Sequence, residues 1–330
     1  MELFELIAEL TAIHGPSGEE TAVSQAIAGY AKPFADEICT DTMGNLIVHK
    51  KGNGPRVMFS AHMDSIGLVA TYIEESGMVR FGKLGGVIAK NIRNIPVRFE
   101  NGTAGAVKVD GKADEDKLTL DDLYLDIGAS SREEALALVK PGDTAVYATQ
   151  TVRAGKRVLS PYLDNRVSCA VLLSVLRCMK ESENDLYFVF TVQEELGLRG
   201  AKTAAYGIEP DYAIAVDVTS ACDWPGSPKA GSAVLGGGTA IKVMDSSVIC
   251  HPSMTRKLSE LAQQGNIPYQ LDVLTRGGTD AGAICQTKSG VITSGISIPC
   301  RYVHTPTEMV EMGDVQACVD LAAAFAECSL

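Results

Sequence analysis

The sequence predicts an α/β fold, a mostly parallel sheet sandwiched by helices, with a small inserted β-barrel-like domain. Two observations predict the sheet. Nearly continuous apolar runs of strand length (RVMFSAHMD, LYFVFTVQ, DYAIAVDV) read as strands buried on both faces, and they alternate with helical stretches. The insert is predicted by a change of texture. Residues 67–158 turn to short alternating strands separated by Gly, Asn and Asp. The α/β rhythm then resumes, so 1–66 and 159–330 form one discontinuous domain and 67–158 the inserted β-rich one.

The elements follow in order. Residues 3–14 carry helical periodicity through Leu3, Phe4, Ile7 and Leu10 and stop at HGPSGEE. Ser17 followed by Glu20 resembles a capping box that starts a second helix reaching about Tyr30. Strands follow at 45–50 and 56–64. The insert contributes IGLVATYI, MVRFGKL, IPVRFE, AGAVKV, LYLDIG and DTAVYAT as strands, with one short helix at SREEALALV. Beyond it come the helix NRVSCAVLLSVLRCMKE, the strand LYFVFTVQ, the helix GAKTAAYG and the strand DYAIAVDV. The helix PSMTRKLSELAQQGN, the strand SGVITSGISIP and a helix over 314–330 complete the chain.

Composition narrows the function. A net charge of −12 argues against nucleic acid and against an anionic membrane as partner. No apolar run approaches the length of about 18 residues that a membrane span needs. The opening MELFELIAEL places acids where a signal peptide carries bases, and the nine cysteines form no CxxC pair. Both point to a reducing, cytoplasmic setting with the cysteines as core residues.

Chemistry-bearing residues collect where the strands end. His62 and Asp64 follow VMFSA, Glu194 and Glu195 follow FVFTVQ, Asp217 ends YAIAVD, His304 follows ISIPCRYV, and Asp164 precedes a helix. Taken singly, each has an ordinary structural role, such as a helix N-cap for Asp164 or solvated loop charges for the glutamates. Together they converge on the carboxyl edge of the sheet, where open α/β folds place their sites. So many carboxylates on one rim repel unless a cation neutralises them. Imidazole and carboxylate without paired thiolates suit zinc, cobalt or manganese, and the surplus of donors suits two ions. Neighbouring residues in extended chain face opposite sides, so one glutamate can bind metal while the other acts as general base.

At these residues the chain resembles the tetrahedral (TET) aminopeptidases, the glutamyl-aminopeptidase and cellulase M-like branch of the co-catalytic metallopeptidases. The motifs GPSGEE, AHMDSIG, SPYLDNR, VQEELGLRGA, AVDVT, RGGTDAG and RYVHTPTEM occur in that order along nearly the whole chain. The resemblance implies a zinc-exopeptidase-like fold whose inserted β domain serves dimerisation. It implies two divalent ions per subunit: His62 and Asp217 on one, Glu195 and His304 on the other, and Asp164 between them. Glu194 would be the general base, Asp64 would orient the His62 imidazole, and a metal-bridging hydroxide would attack the first peptide bond of short peptides. Dimers assembling into a dodecamer are implied as well. Ser168 stands where a Gly is common, and the loop SACDWPGSPKAG around Trp224 bears on side-chain preference.

A metal-dependent deacylase or dipeptidase on the same site is the nearest alternative. A glycoside hydrolase fits poorly, because it needs separated carboxylates and no histidine ligands. GGTDAG and LGGGTA lack phosphate-loop spacing, so they read as tight loops, with Asp280 near the site. His14 and His49 show no partner pattern, and His251 precedes a helix.

Overall fold

The computed structural model describes residues 2–330. In chain order, α1 (Leu3–Ala12) and α2 (Thr21–Ala31) precede β1 (Glu37–Thr40), β2 (Leu46–Lys50) and β3 (Arg56–His62). Next come β4 (Gly67–Ile73), β5 (Val79–Leu84), α3 (Ala89–Ile92), β6 (Pro96–Phe99), β7 (Ala104–Val109), β8 (Leu123–Asp126), α4 (Arg132–Leu138) and β9 (Thr144–Tyr147). The chain continues through β10 (Val152–Ala154), β11 (Arg157–Ser160), α5 (Leu163–Cys178), β12 (Asp185–Thr191), α6 (Arg199–Ile208) and β13 (Tyr212–Ser220). It ends with β14 (Thr239–Met244), α7 (Pro252–Gln264), β15 (Tyr269–Val273), α8 (Asp280–Ile284), β16 (Ile292–Arg301), β17 (Glu308–Glu311) and α9 (Met312–Glu327).

β4 to β9 close an antiparallel barrel, in the order β4-β5-β8-β7-β6-β9. Its core, with Leu68, Val79, Val97, Phe99, Val107 and Leu125, is separate from that of the sheet. The other strands join one large mixed sheet, ordered β1-β2-β12-β3-β13-β16-β17-β11-β10, with β14 and β15 attached beside β16. Its centre, β12-β3-β13-β16, is parallel. The flanking strands pair antiparallel, except that β15 runs parallel to β14. The flanking strands are short and the alternation in them is weak, so the sequence shows the parallel centre and hides β1, β10, β11, β14, β15 and β17. An end of the insert at 158 falls inside β11, which pairs with β17 in the large sheet; the barrel strands stop at Tyr147.

Alternation along the central strands puts side chains on both faces. Val57, Phe59 and Ala61 of β3, with Leu186, Phe188 and Phe190 of β12, face α1, α2, α5 and α9, while Met58 and Val189 face α6 and α8. Phe59 stacks on Phe188 at 5.1 Å and meets Phe325 of α9 edge-on. Each such buried side chain contributes about 1.5–3 kcal/mol, which fixes the central strands as a rigid base for the residues at their ends.

The register opens a crevice. β12 stays paired to β3 as far as Thr191–His62, but β13 leaves β3 after Ala215–Ser60 and continues along β16 to Ser220–Cys300. His62 and Asp217 therefore stand on the two lips of a widening gap at the carboxyl edge of the sheet.

The second helix has a different start from the expected capping box. α2 begins at Thr21, and the Ser17 hydroxyl donates to Asp64 Oδ2 at 2.6 Å. Glu20 Oε1 accepts from the backbone N–H of Gly18 and of Gln193 instead. The Asp64 carboxylate takes the Ser17 hydroxyl and backbone N–H donors take the Glu20 carboxylate, so neither side chain closes the expected box.

Candidate metal centre

Five segments deliver the site. β3 ends at His62, buried to 1% exposure, and the fully buried Asp64 follows. His62 Nδ1 lies 3.1 Å from the Asp64 carbonyl and 3.3 Å from its Oδ1. Nδ1 faces two acceptors, so it carries the ring proton and Nε2 turns its lone pair to the crevice. There Nε2 meets only carboxylates: Asp164 Oδ1 at 3.1 Å, Asp217 Oδ1 at 3.8 Å and Glu194 Oε2 at 3.9 Å. Asp64 is occupied on every side, since Ser17 Oγ and the backbone N–H groups of Glu194 and Glu195 all donate to it.

Asp164 does not cap α5. It lies in the first turn of that helix with non-helical backbone, φ −76° and ψ 103°, next to a cis peptide bond to Asn165. Its carboxylate spans the crevice, with Oδ1 toward His62 and Oδ2 3.2 Å from Nε2 of His304. Glu195 Oε1 is 3.0 Å from that same Nε2. Two sets of three donor atoms result, His62–Asp164–Asp217 and Asp164–Glu195–His304, each within 4.8 Å of one another. Lone pairs converging from imidazoles and carboxylates are the arrangement that divalent cations satisfy. The donor set therefore fits two ions sharing Asp164.

Glu194 and Glu195 do not separate by strand alternation, as extended chain predicts. They open a turn in which the Gly197 and Leu198 N–H groups both donate to the Glu194 carbonyl at 2.8 Å. The turn sends Glu195 toward His304 and leaves Glu194 facing His62, outside both donor sets.

One buried acid escaped the sequence. Glu308, at 1% exposure, accepts the Asp164 N–H through Oε2 at 2.9 Å and the His304 N–H through Oε1 at 2.8 Å. It fixes the backbones of two residues in the Asp164–Glu195–His304 set, and His304 itself sits in the left-handed region at φ 64°. The available signal was the alternation of β17, which turns an acidic residue inward. Asp280 is also buried, and its Oδ2 accepts from Thr191 Oγ1 at 2.7 Å. Burial pushes its carboxyl up to about 6.

Charge in the crevice is unbalanced. Burial pushes Glu194 well above the ordinary carboxylate range, with His62 opposing and Asp217, Glu195 and Asp280 adding to the rise. Asp217 is raised well above its usual value by burial, against the pull of His62. Burial works against protonated His304, but Glu195 and Asp164 overcome it and push the ring up to about 12. Burial likewise opposes protonated His62, and the carboxylates of Glu194, Asp164, Asp64 and Asp217 raise it. Both imidazole shifts come from carboxylates crowded around the rings, the surroundings in which a cation is favoured.

The centre floors a cavity of about 860 Å³ whose walls include Gly85, Gly86 and Ile88 from the barrel, Thr219, Ser247 and Arg276. Arg276 lines this cavity, and Lys202 and Lys288 line a neighbouring one. Arg301 is paired to Asp223, with 2.8 Å from Nη2. Trp224 packs on Tyr302 at 5.3 Å, next to the segment that carries His304. His251 caps α7 through its side chain.

The profile of the M42 glutamyl aminopeptidases matches residues 44–321. The chain belongs to that family. A protein of Acetivibrio thermocellus, provisionally named an aminopeptidase, is 48% identical over 97% of each chain. The solved aminopeptidase of the archaeon Desulfurococcus kamchatkensis superposes with a TM-score of 0.95 at 39% identity, covering 98% of this chain and 94% of its own. The TET1 peptidase of Pyrococcus horikoshii, which can assemble into a tetrahedron or a large octahedral shell, superposes at 0.90 with 35% identity, covering 98% and 99%. This M42 chain is an aminopeptidase, a hydrolase of peptide bonds. Among the described residues, no helix is long and apolar enough to cross a membrane.

Proposed function

We propose that the chain removes N-terminal residues from short peptides with two divalent metal ions at this centre. His62 and Asp217 would hold one ion, Glu195 and His304 the other, and Asp164 both; zinc, cobalt and manganese suit these donors. The ions would polarise the first peptide carbonyl and make an attacking water acidic. Glu194 takes the proton of that water and delivers it to the leaving amine. Asp64 holds the His62 tautomer that leaves Nε2 free for coordination, and Glu308 holds the backbones of Asp164 and His304.

One observation carries this assignment. Glu194 lies at the centre yet belongs to neither donor set, while its neighbour Glu195 belongs to one. A carboxylate beside the ligands, raised by burial, is placed to move protons. We further propose self-association through the barrel, supported by the assembly of the TET1 peptidase and by exposed Tyr72, Leu136 and Leu138. A reducing cytoplasm is supported by nine free cysteines.

The test is metal content per subunit together with hydrolysis of short peptides before and after chelation. Glu194→Gln is expected to keep both ions and lose turnover by about 100- to 10,000-fold. Full activity in metal-free protein overturns the mechanism. Loss of metal from Glu194→Gln reverses the assignment of the two glutamates.

A further inference from the structure

The barrel reaches into the metal centre. After β5, the backbone of Gly85 and Gly86 runs behind the Glu195–His304 pair. A Cβ added at Gly86 would stand 2.2 Å from Nδ1 of His304 and 2.5 Å from its Cε1. One added at Gly85 would stand 2.8 Å from Oε2 of Glu195 and 3.0 Å from its Cβ. Each side chain of the pair is therefore backed by one glycine of the inserted module.

We propose that Gly86 is a positioning residue for His304, so that the barrel supplies the back wall of one half of the metal centre. The imidazole cannot yield to a side chain there at small cost. Its backbone is pinned by Glu308 in a left-handed conformation, and its Nε2 is fixed toward Asp164 and Glu195. A methyl group at Gly86 must rotate the ring away from both carboxylates. Gly85 has φ 73°, so a substitution there strains the backbone as well, whereas no such conformation burdens Gly86. Gly86→Ala therefore reports the ring contact by itself.

The proposal rests on the two-ion reading and is tested on full-length protein by zinc titration with calorimetry, alongside zinc content after dialysis. Wild type is expected to hold two ions. Gly86→Ala is expected to retain one and to bind the second about 10- to 100-fold more weakly. Gly82→Ala is the control within β5, because its Cβ would meet Thr71 and Val69 at an ordinary 3.5 Å. It should bind both ions as wild type does. In a His304→Ala background, adding Gly86→Ala should change zinc binding and solubility no further, because the clashing ring is gone. Two ions bound at wild-type affinity by Gly86→Ala overturn this proposal alone. A further loss of binding or of folding in the double variant does the same. Wild type that binds one ion or none overturns the two-ion reading and this proposal with it.

Discussion

Asp64 accepts the backbone N–H of Glu194 at 3.0 Å while its own carbonyl and carboxylate face Nδ1 of His62. One buried acid thus sets both the tautomer of a ligand and the start of the turn that carries the proposed base. Burial works against its charge, yet His62 and the donors around it hold Asp64 below the ordinary aspartate value.

Asp64→Asn keeps the shape but removes the charge and one acceptor. It is expected to weaken metal binding by about 10- to 100-fold and to lower kcat with it. Calorimetric titration with zinc and peptide hydrolysis at saturating metal check this. Unchanged affinity would show that the hydrogen bonds to Asp64 are only structural.

Glu308 holds two backbone N–H groups with two oxygens, and glutamine has a single carbonyl oxygen. Glu308→Gln leaves one buried donor without an acceptor, which costs about 1–3 kcal/mol. A lower Tm together with weaker zinc binding is expected. A lowered Tm with wild-type zinc affinity would confine Glu308 to folding.

Arg276 is the one arginine or lysine among the described residues lining the cavity, and no described acid pairs with it. It stands free to meet a carboxylate on the substrate. Arg276→Ala is expected to raise KM for an N-terminal glutamyl substrate about 3- to 10-fold more than for a leucyl one. Equal changes on glutamyl and leucyl anilides would remove Arg276 from side-chain recognition.

His14 ties the loop after α1 to the barrel. Its Nε2 lies 2.8 Å from Thr144 Oγ1, which donates to Glu19 at 2.6 Å, while the buried Nδ1 has no partner. Burial lowers the His14 pKa below its usual value, against the pull of Glu19. The unfolded chain therefore takes the proton first. The stability from neutral His14 is present above the ordinary histidine value of about 6.5 and is lost as pH falls from there through the lowered native value. His14→Gln should flatten the acid side of a Tm-against-pH curve between about pH 5 and 7; an unchanged slope refutes the link.

The sequence by itself determined the parallel central strands, the main helices that cover them, the inserted β-rich module and the candidate site residues. It could do so because apolar runs, periodicity and strand ends are local signals, and the motifs place each of those residues at a strand end or a helix start. Only the tertiary structure decided what these residues face. The parting of β13 from β3 puts Asp217 across from His62, and a turn rather than strand alternation divides Glu194 from Glu195. Ser17 left the helix end for Asp64, and Glu308 became the clamp on Asp164 and His304. Gly86 packs behind His304 across more than two hundred residues of chain. Such partners are chosen by register and burial, because a buried donor or acceptor takes whatever complement the fold brings within reach.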